Sequence, residues 1–450
     1  MPTDLERAFS ALHNKNSTYD ALWAYYDGDQ PVVYTNRRLR DIFKGLDARF
    51  TQNWCAVVVD SLLERIRLTN FTVGDEYAQR VLDALWAATE LNLEADDAHE
   101  AALITGEAFI IVWRDDGEDG SPGPVQCYYN DPRLCHVFYD AENPRRKSFA
   151  AKWWDTDDGR RRLTLYYRDR LEYYISRGKA KNVSSAKSFE PFGDEPVVEN
   201  PFGVIPVFHL RTKRRAVSEL VNAIPLQNGV NKLLIDMMVA AEFGAFRQRY
   251  VISNAESLGQ LKNAPNEIWD LPAGDGLGQA TQVGEFAATD LNNYLSAIDK
   301  LASSIGIITR TPRHYFFSQG GDPSGEALIA MEAPLNKKAQ DRIQRFASTW
   351  RQVAAFMLML SGVQVDKTAI TPVFERPETI QPFTQAQTRQ IGVAAGIPLR
   401  TQLRNEGWSE AQLEQMEADR QAEQAAAQAS LARALLEQQR RFDQNQAGGQ

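Results

Sequence analysis

One amphipathic stripe in the second half of the chain limits the possible folds more than any other feature. Its apolar residues recur every three or four positions, as on one face of an α-helix. They are Leu335, Ala339, Ile343, Phe346, Trp350, Val353, Met357 and Leu360. Counted from Pro323, this helix would have almost forty residues and a length of about 58 Å, and Pro334 should bend it. Such a helix must rest against something equally long, and neighbouring copies of the chain would supply that surface.

Composition narrows the class of protein further. The chain has 450 residues, of which 43% are hydrophobic and 24% charged, which predicts about three globular domains and excludes wholesale disorder. The net charge of −9 argues against a net basic surface for nucleic acid, but leaves open a local patch or a repelling wall. Three cysteines are too few for a disulfide scaffold and fit a reducing cytoplasm. The longest charge-free apolar stretch, 353–365, is shorter than the roughly 18 residues of a membrane span.

The order of helix and strand patterns predicts a mainly helical α+β fold. The first hundred residues favour helices, including a short aromatic one at 19–26. Between residues 107 and 175 the hydrophobic period is two, and turn residues separate the runs, which predicts one small antiparallel sheet. Residues 176–200 are predicted to be loop-like, and a last strand is expected at 204–210. Helices then follow at 217–246 and 291–305, on either side of a stretch rich in glycine and proline. Pro225 marks either a kink or the start of the first of them.

Motifs for catalysis, nucleotides or metals do not emerge from the sequence. The glycines at 274–278 are not followed by a lysine and a helix, so they predict a hairpin tip rather than a phosphate loop. Cys127, Cys135 and His136 do not have the spacing of a zinc site and are expected in the core. The histidines lie in different elements and suggest no catalytic triad. We therefore expect no enzyme activity, no cofactor and no metal site.

Three sets of residues together indicate a known family. Near the N-terminus they are YYDGDQP at 25–31 and NWCAVVVD at 53–60. The most specific are TPRHYF at 311–316 and SGEALIAMEAPLNKKAQ at 324–340, and the third is AGIPLRT at 395–401. These stretches resemble the portal proteins of tailed double-stranded-DNA bacteriophages, of the siphophage type. The resemblance extends over nearly the whole chain, and the order of elements agrees with it.

The resemblance implies a ring, usually of twelve subunits, at one vertex of a phage capsid. DNA would enter the capsid through this ring during packaging and leave through it during ejection. The implied parts are a wing at 1–215, a stem helix at 216–247, a clip at 248–288, a second stem helix at 289–308, a channel loop at 309–324, a long kinked wing helix with a following strand at 325–376, and a helical crown with a C-terminal tail at 377–450.

The resemblance also implies partners and a location. The clip would bind the packaging terminase and later a head–tail adaptor, and the major capsid and scaffolding proteins would be further partners. Double-stranded DNA would pass through the channel, and no membrane would be involved. The ring would reside in the virion, after assembly in the host cytoplasm. The alternatives are another oligomeric head–tail connector or a non-viral helical scaffold, whereas the missing phosphate loop argues against a packaging ATPase.

Two sets of candidate residues belong to the channel loop. Bulky uncharged side chains there would narrow the bore without gripping phosphate, or would instead form a hydrophobic plug inside the subunit. These residues are Phe316, Phe317, Ser318 and Gln319. Basic groups beside them would touch phosphates, or pair with neighbouring acids. They are Arg310, Arg313 and His314.

Two further sets lie on the stem and the clip. Acids on the stem helices would line a weakly repelling lumen, unless the net charge only serves solubility. They are Asp236, Glu242 and Asp299. Apolar clip residues would contact partner proteins, since aromatic side chains are common hot spots, or would form a small core between subunits. They are Ile268, Trp269 and Leu271.

Overall fold

The computed structural model describes residues 2–30, 51–116, 122–245, 249–252, 282–285, 290–316, 324–377, 382–405, 408 and 410–447. The chain divides into two units, Met1–Pro372 and Val373–Gln450. Helices and small antiparallel sheets make up the described ranges, which confirms the mainly helical α+β class. Among the helices in these ranges, none has both the length and the apolar character needed to cross a membrane.

The chain begins with a helix that is much longer than the aromatic run at 19–26 predicts. Helix α1 spans Asp4–Asp27. Its start is set by a capping box, in which Thr3 Oγ1 accepts the Glu6 amide at 3.2 Å and the Glu6 carboxylate accepts the Thr3 amide at 2.8 Å. Gly28 ends it in the left-handed conformation at φ 79°. The helices that follow are α2 (Trp54–Leu63), α3 (Glu76–Ala88) and α4 (Leu91–Thr105).

The described residues between Leu68 and Arg211 form ten strands. They are β1 (Leu68–Thr72), β2 (Glu107–Asp116), β3 (Pro122–Asn130), β4 (Cys135–Tyr139), β5 (Lys147–Asp155), β6 (Arg160–Tyr166), β7 (Arg170–Lys179), β8 (Phe189–Pro191), β9 (Val197–Glu199) and β10 (Val207–Arg211). The expectation of one sheet is wrong, because two sheets form. The first has the order β10-β2-β3, and the second has the order β4-β5-β6-β7-β8, with β9 also paired to β7.

Both faces of the second sheet are buried, and this explains why the sequence pattern did not distinguish two sheets from one. On one face, Cys135, Val137 and Ala150 share a buried cluster with Phe109 and Val207 of the first sheet. The opposite face packs against helix α1, through a cluster that includes Phe9, Leu12, Phe149, Trp153 and Leu165. Strands with two buried faces lack strict alternation, so periodicity alone cannot separate one sheet from two.

The cysteines considered for a metal site lie in this core, on different strands. Cys127 is on β3 and Cys135 on β4, and both are buried. Burial raises the pKa of the Cys135 thiol to about 12 and raises that of Cys127 as well. These thiols therefore remain protonated and act as small apolar core groups.

A helical hairpin follows the sheets. Helix α5 (Ile224–Ala245) begins one residue before Pro225, so this proline marks a helix start. Strands β11 (Arg249–Ile252) and β12 (Gln282–Glu285) pair antiparallel and lead towards α6 (Asn292–Thr309). Helices α5 and α6 approach closely at Gly229, where an added Cβ would lie 3.2 Å from Leu301 Cδ1.

The long amphipathic helix is confirmed. Helix α7 runs from Gly325 to Leu360 and continues through Pro334, which gives it a length of about 54 Å. Most of its predicted stripe, including Leu335, Phe346 and Trp350, is buried. Instead of one equally long partner, several short elements cover it: Trp350 donates to His99 of α4, and Thr349 donates to the backbone of β10.

The remaining elements end the chain. Strand β13 (Thr371–Phe374) follows α7, and the helices of the second unit are α8 (Pro382–Ala394), α9 (Leu399–Asn405) and α10 (Glu410–Ala447). Leu403 and Leu413 are buried in this unit, and Arg400 pairs with Glu417 at 3.1 Å. The C-terminal portion is thus helical, as its composition predicts.

Candidate functional site

The junction between α6 and α7 contains most of the candidate residues that the structure describes. It comprises residues 309–316 and the first turns of α7, together with Arg65 and Glu219 from distant parts of the chain. Phe317, Ser318 and Gln319, predicted for the channel loop, lie outside the described residues. So do the clip residues Ile268, Trp269 and Leu271.

A tight turn leads out of α6. Arg310 adopts the left-handed conformation at φ 63°, which is costly for a residue with a side chain. The Thr311 amide returns to the Gly306 carbonyl at 3.0 Å. A Cβ at Gly306 would lie 3.0 Å from the Thr311 carbonyl oxygen and 3.3 Å from the Phe316 ring. Glycine at 306 therefore lets the chain fold back against the end of its own helix.

Phe316 contacts the N-terminal helices within the subunit. Its ring meets that of Trp54 edge-on, with the centroids 5.8 Å apart and the planes at 79°. Trp54 is buried at the start of α2, and its amide donates to Gln227 at 3.0 Å. The described end of the loop is thus attached to α2 by an aromatic pair.

An arginine and a glutamate connect the two ends of the junction. Arg65, which follows α2, is buried and lies 3.4 Å from the carboxylate of Glu332 on α7. It also donates to the Tyr315 hydroxyl at 2.8 Å and to Asn336 at 3.0 Å. His314 Nε2 lies 3.8 Å from the same Glu332 carboxylate. Residues before and after the loop therefore share one polar network with α2.

A second buried network holds the middle of α7. Glu219 lies 2.9 Å from Lys338 Nζ and 2.6 Å from Arg342 Nη2. Lys338 also donates to the Thr309 carbonyl at 2.9 Å, which satisfies the last turn of α6. Burial alone would raise the pKa of Glu219, but the two cations outweigh it and hold that pKa below its usual value. Glu219 is therefore charged at neutral pH.

The predicted basic contacts lie together at this junction. Arg310 and Arg313 are exposed, whereas His314 is half-buried near Glu332. No carboxylate of the described ranges is within ion-pair distance of Arg310. The junction thus presents basic side chains to solvent while its own acids are used internally.

The predicted stem acids lie on the helical hairpin, away from this junction. Asp236 pairs with Lys232 one turn earlier on α5, and Asp299 is exposed on α6. Glu242 belongs to α5, but its side chain lies outside the described residues. Of the two acids whose side chains are described, Asp236 is therefore already balanced by a cation of its own subunit.

A further buried network lies between α1 and the two sheets. The Glu107 carboxylate accepts from Lys15 Nζ at 2.6 Å and from the Tyr19 hydroxyl at 2.5 Å, and His209 Nε2 is 2.9 Å away. Lys15 Nζ is also 3.1 Å from His136 Nδ1. Burial lowers the pKa of His136 to about 3, with a further lowering by the Lys15 charge. This network joins α1 to both sheets.

Sequence reasoning missed Arg65, Glu219 and the Glu107 network. Arg65 and Asn336 are 271 positions apart, so no local spacing signals their contact. The available signal was weaker: a charged residue beside an otherwise apolar stretch is seldom buried without a partner. That rule identifies Arg65, after the apolar helix α2, but it does not identify its partner.

A family model and two relatives agree with the resemblance seen in the sequence. The family model "Phage portal protein, SPP1 Gp6-like" matches residues 9–426. The portal protein of Mycobacterium phage D29 is 24% identical over 431 residues, which cover 90% of this chain and 86% of that protein. The portal protein of Mycobacterium phage L5 is 24% identical over 443 residues, or 91% and 86%. Among solved structures, a chain from the virion of a native gene transfer agent particle has a TM-score of 0.44 and 13% identity, over 81% of this chain and 91% of that one.

Proposed function

Since the chain belongs to the phage portal protein family of the SPP1 Gp6-like type, we propose that its copies close into a ring at one capsid vertex, through which DNA enters during packaging and leaves during ejection. The observation that carries this proposal is the extent of the family match, residues 9–426. One continuous match supports a complete set of portal parts, from wing to crown, rather than a single shared module. A ring of twelve subunits is the expected form.

The exposed apolar side chains of the first unit support assembly into a ring. Ile307 is 78% exposed at the end of α6, and Leu295 on the same helix is 47% exposed. Met331 on α7 is 48% exposed. Such side chains mark a surface that partners cover where they form a contiguous patch. Head-to-tail contacts between identical copies would cover them and close a ring.

The channel would work by avoiding tight contacts with DNA rather than by chemistry. Every phosphate bound by lysine or arginine adds affinity, which would slow a sliding polyanion. A subunit charge of −9, repeated around a ring, favours a weakly repelling wall. We assign Asp236, Glu242 and Asp299 to that wall. Arg310, Arg313 and His314 would meet phosphates only at the constriction. The subunit itself would have no enzyme activity.

The proposed partners follow from the position of such a ring. The clip, with Ile268, Trp269 and Leu271, would bind the terminase during packaging and a head–tail adaptor afterwards. The wing would contact the major capsid and scaffolding proteins. The ring would form in the host cytoplasm and remain in the virion at the portal vertex.

Imaging of the purified protein tests the ring directly. Negative-stain electron micrographs should show annuli with a central hole about as wide as duplex DNA. Samples are compared over a range of protein concentrations, with and without capsid components. A protein that stays a single subunit under all these conditions would contradict the proposal.

The channel loop can be tested by removing its aromatic side chains. Replacing Phe316 and Phe317 with alanine should leave rings intact but reduce the amount of DNA packaged, because the constriction loses its bulk. The measurement is DNA protected from nuclease in capsids assembled with the variant. Trp54→Leu is the matched control, since it leaves the loop sequence unchanged but removes the ring against which Phe316 packs. Normal packaging by the double variant, or an equal defect in the control, would exclude this role.

A further inference from the structure

One segment of the chain has a charge opposite to that of the whole. Residues 160–187 contain nine Lys or Arg and two Asp or Glu, a net charge of +7 in a chain of −9. The segment includes β6, β7 and two short 3-10 turns, Ala180–Asn182 and Ala186–Ser188. A concentration of positive charge this strong can bind a polyanion even when the whole protein is acidic.

The strand register brings part of this charge to one end of the second sheet, where β6 begins and β7 ends. Arg160 of β6 lies directly opposite Lys179 of β7. Like charges in this arrangement are destabilising, so packing within the sheet does not explain the pair. Asp158 balances Arg160 at 2.6 Å, and Glu190 lies 3.4 Å from Arg177. Lys179 is left as the uncompensated member of the pair.

Three lysines at this end of the sheet have no acidic partner within the part of the chain that the structure describes. Lys179, Lys181 and Lys187 are exposed, and no carboxylate of the described ranges lies within ion-pair distance of any of them. Together with Arg177, whose side chain is 68% exposed, they form what we call the basic corner. Its charge is thus directed to solvent rather than used for folding.

The backbone that carries the basic corner is held by the core. Ala180, Val183 and Ala186 recur at every third position and are each 8% exposed. Val183 and Ala186 belong to the cluster that packs against Phe9 of α1, and the Ala180 amide donates to the Gly159 carbonyl at 2.8 Å. The lysines therefore project from a defined surface rather than from a loose tail.

The other exposed residues of the corner indicate the class of ligand. Between residues 177 and 188, every exposed position is lysine, arginine, glycine, serine or asparagine. Protein interfaces have apolar and aromatic residues at their centre and few lysines. Contacts to the DNA backbone, by contrast, come from lysine and arginine charges and from serine and asparagine side chains. The composition favours phosphates over an acidic protein.

We propose that the basic corner, Arg177, Lys179, Lys181 and Lys187, binds the phosphate backbone of double-stranded DNA on the outside of the protein. We expect the contact to depend on charge rather than on base sequence, because lysines and an arginine on strand ends and short turns reach the phosphates before the base edges in the grooves. It is also separate from the proposed channel, since the corner lies on the second sheet and not on the helical hairpin or the α6–α7 junction.

Binding to closed circular DNA distinguishes this outer contact from binding inside the proposed channel. A covalently closed duplex circle cannot thread a closed ring, so any binding it shows must come from an outer surface. Affinity of the full chain for a labelled minicircle is measured between 50 and 200 mM salt. Three lysine–phosphate contacts contribute about 2.7 to the slope of log affinity against log salt concentration. The triple variant Lys179→Gln, Lys181→Gln, Lys187→Gln should lose this part of the slope and bind roughly tenfold or more weakly at 50 mM.

A second triple variant removes equal charge elsewhere. Lys213→Gln, Arg214→Gln and Arg215→Gln change an exposed basic run that follows β10, and should retain most of the affinity. Equal losses in the two variants, or unchanged binding by the lysine variant, would overturn the proposal. So would displacement of the minicircle by poly-glutamate as effectively as by linear duplex of equal charge, which would indicate an acidic protein ligand. Micrographs of the same samples report on the ring separately, so failure of this contact is distinguishable from failure of the proposed function.

Discussion

Replacing Glu219 with glutamine is expected to lower the free energy of unfolding by about 3–5 kcal/mol. The reason is that Lys338, only 8% exposed, would be left buried without a carboxylate, while Arg342, only 4% exposed, would keep only its pair with the half-exposed Asp341. Lys338 would keep its bond to the Thr309 carbonyl, but the two cations would then repel each other across a neutral amide. Equilibrium unfolding in denaturant, at a fixed protein concentration, measures the loss.

Asp341→Asn is the matched control for this prediction. Asp341 pairs with the same Arg342 and with Arg345, but its side chain is 48% exposed. Exposed ion pairs contribute about 0–1 kcal/mol, so this variant should unfold almost as the unchanged protein does. Similar losses for the two substitutions would mean that burial of the Glu219 network does not determine its strength.

Lowering the pH from 7 to 5.5 is expected to cost about 3 kcal/mol of stability. Burial lowers the pKa of His99 to about 3, and burial together with the Lys15 charge does the same for His136. An unfolded histidine has a pKa near 6.5, so below that pH the unfolded chain binds protons that the folded protein does not. Each histidine then costs about 1.4 kcal/mol per pH unit below 6.5. Stability continues to fall until the pH approaches the pKa of the two histidines in the folded protein, about 3.

The contacts of the two histidines explain why they resist protonation. His99 Nε2 accepts the indole N–H of Trp350 at 2.8 Å, which it cannot do once protonated. His136 lies beside Lys15, whose charge repels a second cation.

The carboxylate of Glu107 adds to the acid sensitivity of the fold at lower pH. Although burial acts to raise its pKa, His209 and Lys15 hold it well below the usual value, so stability is lost when acid protonates it.

Unfolding measured at pH 7.5, 6.5 and 5.5 tests this prediction. The variant His136→Asn should be less stable than the unchanged protein at pH 7.5, but its stability should fall less steeply with acidification. His13→Asn, at an exposed position, is the control and should retain the full acid sensitivity. Equal stability of the unchanged protein at pH 7.5 and 5.5 would contradict the assignment of buried neutral histidines.

Local patterns predicted most helices, because their signals lie within a few residues. The stripe from Leu335 to Leu360 is an example, and the structure confirms it. The N-terminal part of α1 was missed because its signal is the capping box at Thr3 and Glu6, not the aromatic run that follows. The single predicted sheet was wrong because alternation within a strand does not reveal what covers each face.

The sequence by itself determined the helix-rich order of elements, the position of the long helix and the resemblance to phage portal proteins. Only the tertiary structure decided which charges are buried and which face solvent. Arg65 meets Asn336 across 271 positions, and Glu219 meets Arg342 across 123. The physical reason is that a charge's environment depends on neighbours from distant parts of the chain, and these contacts have no period. The same reasoning applies to the basic corner, because strand register and the lack of a described carboxylate within ion-pair distance of its three lysines, not lysine content, leave their charge uncompensated.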